Sequence, residues 1–325
     1  MGTLKNTCEY LKTRDLSSPC LKAALLSLSL FFLFSLALFL DRGEASETEE
    51  QLPPVHMKLG AIMNSFAGMS LEDLKIAVNL IFKTRFEKKY PRHKGDMFLF
   101  SDLHAGLDAI KTNKINCLCL STLDYLMTKE ENNLIPVRNA TLGETAKSRY
   151  LFLVRKEQQG TLESLKKKSL VLERGAHGDV AAVWLDTLLF ERSLPESSRY
   201  FKSVEKMEKG SLGVMKLFFN KVDACIVQKN VYNVVKELNP QIGTDLQVLF
   251  ESPEYLIGIF AISKDIDENT RKFILLYADE LVEDMEGQKI LSLIRVKGVL
   301  AFSPESMGSI EKLYDQYLRL KPVGR

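Results

Sequence analysis

The sequence predicts an α/β protein of two doubly wound lobes joined by two extended crossovers and preceded by a hydrophobic N-terminal segment. Three observations lead there. From residue 55 onward, short apolar runs alternate with amphipathic stretches at helical spacing. The run INCLCLS (115–121) is apolar almost throughout, as suits a parallel strand buried on both faces. Two long extended stretches, RYLFLVRK (149–156) and LQVLFESPEYLIGIFAIS (246–263), interrupt the alternation and read as one crossing out and one crossing back. At 325 residues, 46% hydrophobic and 26% charged, the chain has an ordinary globular composition and length for about two domains.

The N-terminus carries a targeting signal. Lys5, Lys12, Arg14 and Lys22 precede the uncharged run AALLSLSLFFLFSLALFL (23–40), and the acidic stretch DRGEASETEE follows it. Basic before and acidic after places the N-terminus of this segment in the cytoplasm. Its length lies between a long signal-peptide core and a short membrane anchor. Gly43, Glu44 and Ala45 suit cleavage after Ala45, and an uncleaved anchor is the alternative. In both cases the remainder is exported to the periplasm. The expected organisation is a signal peptide or anchor over 1–45 and a tether over 46–54. Residues 55–152 with 254–325 then form the first lobe, and 153–253 the second.

The elements follow in order. VHMKLGAIM (55–63) is a strand and NSFAGMS a loop, after which Ser70 and Asp73 open a helix that runs to Tyr90 and stops at Pro91. DMFLFSD (96–102) is the second strand, a helix covers 105–111, and 115–121 is the third strand. Beyond the crossing at 149–156, the triple lysine 166–168 makes a solvated turn before the strand SLVLERG (169–175). Helices over 178–194 and 211–221 flank the cleft side, with a strand over 222–228. The C-terminal part, 268–320, is helical in two or three pieces, broken around Gly298 to Pro304.

Several chemistries are excluded. A net charge of +2 and the lack of a basic face give no reason to expect nucleic acid. Cys117, Cys119 and Cys225 are an odd number beyond the targeting segment, so they form no disulfide framework, and they read as small buried hydrophobes. No nucleophile–base pair, phosphate loop or metal-ligand spacing is present, so no enzymatic activity, metal or cofactor is expected. Trp184 lies on an apolar helix face and reads as core. Asn139-Ala140-Thr141 matches a glycosylation acceptor by chance.

Four stretches carry a family likeness. NKVDACIVQKNVY (220–232) resembles the signature of the phosphate/phosphonate/phosphite family of bacterial ABC-transporter solute-binding proteins. SDLHAGLDAIKTNKINCLCLSTLDYL (101–126), LERGAHGDVAAVWL (172–185) and LQVLFESPEYLIGIFAISKDID (246–267) are similar to its first-lobe segment, second-lobe phosphate loop and return crossing. The resemblance covers about residues 55–320. It implies the type II periplasmic-binding-protein fold, a small-molecule solute held in the inter-lobe cleft, and an ABC permease, or a membrane sensor, as partner.

Candidate ligand-binding residues follow from both readings. Gln228 and Asn230 stand at the carboxyl end of the Val-Asp-Ala strand, and Ser121 and Thr122 at the end of the third strand, where α/β sheets hold ligands. The resemblance adds His104, where the family often has a cleft tyrosine, and Ser211 near a helix start. It adds His177 and Gly178 in the phosphate loop as well. His177 has a surface role as its alternative. Asp223 reads as a turn residue before its strand, and Asp179 as a helix N-cap rather than a ligand group. The family's Ser-Thr-Ser run is replaced here by residues 176–180, AHGDV. The resulting expectation is a solute-binding protein of an ABC transporter taking a small polar, anionic solute. The alternative is a membrane-anchored sensory or scaffold protein with a different or degenerate pocket.

Overall fold

The apolar runs pair into two separate main sheets in a computed structural model, which describes residues 52–325 except 67, 68, 70, 142–144, 159, 295 and 323–325. The expected targeting segment and residues 46–51 of the tether lie outside the described residues. Among those described, no helix is long and apolar enough to cross a membrane.

The first sheet begins with β1 (His56–Ile62), β2 (Lys94–Phe100), β3 (Cys117–Ser121) and β4 (Leu134–Thr141). A two-residue strand, β5 (Lys147–Ser148), leads out of it. The second sheet holds β6 (Tyr150–Arg155), β7 (Ser169–Glu173), β8 (Ser203–Met207), β9 (Ala224–Gln228) and β10 (Leu246–Glu251). The chain returns through β11 (Tyr255–Leu256) and adds β12 (Gly258–Ser263) and β13 (Gly298–Ala301) to the first sheet. The strand orders are β13-β4-β12-β3-β1-β2 and β10-β6-β9-β7-β8. β1 runs parallel to both β2 and β3, and β7 parallel to both β8 and β9. Each lobe therefore has a parallel, doubly wound centre, and the antiparallel strands come from the crossings.

Helices cover the sheets: α1 (Leu71–Asn79), α2 (Leu103–Lys111), α3 (Thr122–Met127), α4 (Ala176–Phe190), α5 (Gly210–Phe218), α6 (Lys229–Leu238), α7 (Glu268–Glu283), α8 (Met285–Leu293) and α9 (Gly308–Leu320). Local chemistry sets several starts. The Asp102 carboxylate accepts from Ala105 N at 2.9 Å, which starts α2 two residues earlier than its apolar pattern indicates. Asp267 caps α7 in the same way.

Six elements depart from the sequence reading. The helix expected over 70–90 widens after Asn79 into a π-helical segment, Leu80–Phe86, before ending at Tyr90. RYLFLVRK does not lead away from a lobe, because β6 lies inside the second sheet with all six residues buried. β4 carries Pro136, a poor residue for a sheet interior. It is accommodated where the β12–β4 register shifts between Phe260 and Ala261. β8, SVEKM, is an exposed edge strand with no apolar alternation to mark it. The expected helix break at 298–304 contains the edge strand β13, and KNVYNVVKEL forms the helix α6.

The core forms as the pattern requires. Phe152 and Leu153 of β6 and Leu185 of α4 are fully buried, and Trp184 is 6% exposed, as a core residue should be. Each such aliphatic or aromatic side chain contributes about 1.5–3 kcal/mol by leaving water. The three cysteines are free thiols, two of them buried. The triple lysine is an exposed turn. Asn139 is 4% exposed within β4, which fits a chance glycosylation match.

Asp223 has the structural role expected of it. One carboxylate oxygen accepts from both Ser169 N (2.9 Å) and Ser169 Oγ (2.7 Å), and Asp223 N donates to Ser169 Oγ (3.0 Å). Burial opposes its ionisation, but these bonds and the nearby Lys168 and Arg155 prevail and hold the carboxyl below its ordinary range. The clamp ties the start of β9 to the start of β7. Replacing Asp223 with Ala should cost about 2–3 kcal/mol in urea unfolding without altering solute affinity. A loss of affinity at unchanged stability would instead make it a ligand group.

Candidate functional site

The two chain crossings lie side by side. β5 and β11 pair antiparallel, Ser148 opposite Tyr255 and Lys147 opposite Leu256. Beside them Arg149 bonds Glu251 at 2.9 Å and Glu254 at 3.3 Å, while Lys229 Nζ reaches Glu251 at 2.8 Å. Tyr150 N donates to Ser252 Oγ, and Ser252 N returns a bond to Tyr150 O. The ion pairs are half-exposed and individually weak. The buried backbone bonds make this ribbon the fixed junction between the sheets.

A cavity of about 400 Å3 opens next to that ribbon. Its polar end lies at the carboxyl ends of β1, β7 and β9, where α/β folds place ligands, and the rest runs between the first sheet, at residues such as Leu59 and Cys119, and α7 and α8. From the first lobe it is lined by Ser65 and Phe66 after β1, and by side chains of β12, α7 and α8. From the second lobe come Glu173 at the end of β7, Ala176 and His177 at the start of α4, and Gln228, Asn230 and Val231 at the β9–α6 junction. Ser148 of the junction completes this end.

The polar end is internally wired. Gln228 is 7% exposed; its Nε2 donates to Glu173 Oε2 at 3.0 Å, and its Oε1 accepts from Ser148 Oγ at 3.5 Å. His177 is 7% exposed, and its Nδ1 lies 3.2 Å from the Tyr150 hydroxyl. Burial lowers the imidazole pKa to about 4, so His177 is neutral at physiological pH. Burial likewise keeps the Tyr150 phenol protonated. Glu173 is the one carboxylate among the described lining residues, and no lysine or arginine is among them.

Gly178 is required by packing. A Cβ there would fall 1.6 Å from the Glu173 carbonyl oxygen. Its missing side chain lets the end of β7 press against the first turn of α4, and Gly175, with φ of 85°, makes the turn between them. Asp179 is not the cap expected of it, since Gly175 occupies that position. Its carboxylate accepts from Asn64 Nδ2 at 2.8 Å and from Lys206 Nζ at 2.9 Å. Asn64 follows β1, so this contact bridges the two lobes.

The structure brings together half of the sequence-predicted set. His177, Gln228 and Asn230 line the cavity, and Gly178 sits immediately behind its wall. His177 is buried, which corrects the surface alternative. Ser121 and Thr122 are buried but engaged elsewhere: Ser121 Oγ caps α3 by accepting from Asp124 N, and Thr122 Oγ1 donates to Leu256 O at 2.5 Å. Thr122 holds the end of the third strand to the junction, Ser121 starts α3, and neither lines the cavity. His104 is exposed on the first turn of α2, and Ser211 is half-buried on the first turn of α5; neither is a lining residue. Sequence reasoning missed Ser65, Ser148 and Glu173. Glu173 lies in the quoted LERGAHGDV stretch, two residues before the glycine turn, and that position was its signal.

Comparison with known proteins agrees with this architecture. Residues 82–307 match the family model for the ABC transporter, phosphonate, periplasmic substrate-binding protein. The chain belongs to this family of extracytoplasmic solute-binding proteins, which serve ABC permeases. Among solved structures, a binding protein component of an ABC phosphonate transporter from Pseudomonas aeruginosa is 13% identical, with a TM-score of 0.58 and coverage of 82% of this chain and 88% of that one. A Prochlorococcus marinus protein in complex with methylphosphonate is 15% identical, with a TM-score of 0.58 and coverage of 82% and 99%. A Xanthomonas citri protein bound to chloride ion is 12% identical, with a TM-score of 0.60 and coverage of 82% and 98%. At these identities the likeness establishes the type II periplasmic-binding-protein fold. No curated protein matches the chain.

Two outcomes are expected. The native chain keeps His177 neutral down to about pH 4, whereas the unfolded chain protonates it near 6.5. Stability should therefore fall as pH drops through that window, by up to about 1.4 kcal/mol per pH unit from this group. His177→Gln should remove that part of the slope in unfolding titrations. Gly178→Ala should destabilise by about 3 kcal/mol or more, because the clash is with backbone; a mild effect in urea unfolding would contradict the close approach described.

Proposed function

We propose that this chain acts as the solute-binding subunit of an ABC importer, closing its lobes over a small polar, anionic solute and presenting the closed form to a permease. The observation that carries the reading is the cavity at the carboxyl ends of strands from both sheets, beside the paired β5–β11 crossing. In the fold class the family shares, that is where a solute is enclosed. The lobes comprise residues 55–149 with 254–325, and 150–253; the expected boundary at 152 moves back because β6 enters the second sheet at Tyr150. The chain is exported, with cleavage near Ala45 or retention through residues 23–40 as its two possible fates; N-terminal sequencing of the mature protein distinguishes them. Contact with the membrane is confined to that segment, and the chain catalyses no reaction.

The anionic group of the solute is held without a cationic side chain. The first-turn N–H groups of α4 and the amides of Gln228 and Asn230 supply partial positive charge, as helix N-termini do for anions elsewhere. Methylphosphonate in the Prochlorococcus marinus structure supports the solute class by likeness of family.

Thermal unfolding with phosphate, phosphite, phosphonates, sulfate and small carboxylates tests the reading. A true solute at a hundred times its dissociation constant adds about 2.7 kcal/mol, raising Tm by roughly 5–10 °C. Gln228→Ala should reduce that shift. Absence of any shift across the panel would remove the case for transport of this solute class.

A further inference from the structure

We infer that the solute carries an apolar body several carbons long, which enters the cavity between the first sheet and the α7–α8 layer. The inference deepens the solute-binding reading and rests on it.

The two faces of the first sheet differ in how well they are sealed. On one face Leu118, Leu120, Ile259 and Ala261 are at most 3% exposed. On the other, Ala61, Cys117 and Ile262 are equally sealed, but a strip formed by Leu59 of β1, Cys119 of β3, Phe260 of β12 and Val299 of β13 remains partly exposed. Strand-centre residues of a doubly wound sheet are ordinarily covered by the helix layer. Here they line the cavity instead, facing Tyr277 and Leu281 of α7 across it. The open surface is internal and continuous with the solute cleft, so it is not an outer face awaiting another protein.

Size and chemistry point the same way. A volume of about 400 Å3 falls in the range of pockets that enclose organic ligands. An inorganic oxyanion would leave most of it unfilled. Covering such an apolar lining with hydrocarbon removes both surfaces from water and is favourable. Polar groups gather at the cleft end: Glu173, His177, Gln228 and the Ser65 hydroxyl, which is buried and has no hydrogen-bond partner among the described residues. The Tyr277 hydroxyl is turned away to Ile81 O at 3.2 Å, leaving its ring for the lining. Polar at one end and hydrocarbon at the other is the complement of an amphiphilic solute.

A homologous series decides the matter. Isothermal titration of the purified chain with n-alkylphosphonates, methyl through octyl, should show affinity rising about fourfold per added methylene until the cavity is filled. Ala278→Trp, which projects a ring into the cavity from α7, should flatten the gradient or end it at a shorter chain. Methylphosphonate binding with no dependence on chain length would overturn the inference while leaving the solute-binding reading intact. Failure of every member to bind would overturn both. The wild-type series is sufficient if Ala278→Trp does not fold.

Discussion

The pairing of the two chain crossings is the constraint on which the rest of this structure depends. A chain that builds part of one sheet, completes another and returns must pass twice between them. Here both passes run together as β5 and β11, joined by backbone hydrogen bonds and flanked by the reciprocal bonds between Tyr150 and Ser252. Thr122 anchors the first lobe to this ribbon through Leu256 O, and Gln228 approaches it from the second through Ser148. With the junction at one side, the carboxyl ends of β1, β7 and β9 necessarily face a shared space. Moving the lobes needs changes in only a few residues around the ribbon, while both cores stay packed.

Electrostatics inside that space differ from those of a site built around a cation. Burial discharges His177, Tyr150 stays protonated, and the described lining residues include a carboxylate but neither lysine nor arginine. An anionic group there relies on peptide dipoles and amides, which are short-ranged and geometrically selective. Hydrocarbon contact then supplies much of the affinity, at about 0.8 kcal/mol for each buried methylene. The same low-dielectric surroundings keep the Cys119 thiol protonated, its pKa raised to about 12, so it serves as part of an apolar wall.

The loop between β7 and α4 shows how a single small residue organises the site. With Gly178 in place, the Glu173 carbonyl approaches the helix closely enough that its side chain meets Gln228. Asp179, one residue further, reaches Asn64 on the opposite lobe and Lys206 on its own. The stretch that in relatives of this family offers hydroxyls here offers packing and a contact across the cleft.

Much of the architecture was legible in the sequence because burial leaves a pattern: the near-continuous apolar run of β3 required two-sided cover, and β9 read as a buried strand. The second long extended run carries the return crossing at β11, whereas the first, read as the crossing out, forms β6 inside the second sheet. β4, β8 and β13 were not legible. Pro136, the exposed edge SVEKM and a glycine-led tetrapeptide carry no clear periodicity, and each becomes a strand only because a neighbouring strand offers it partners. The site divides along the same line. Strand ends and a glycine turn are local, so His177, Gly178, Gln228 and Asn230 could be named from their neighbours in the chain. Which hydroxyls face the solute and which are consumed by structure depends on contacts more than a hundred residues apart, such as Thr122 with Leu256. Sequence alone therefore determined the two-lobed, twice-crossed fold, through local burial patterns. Tertiary structure alone decided that Thr122 braces the junction while Ser65, Ser148 and Glu173 line the cavity, because such partners are assigned only when distant strands meet.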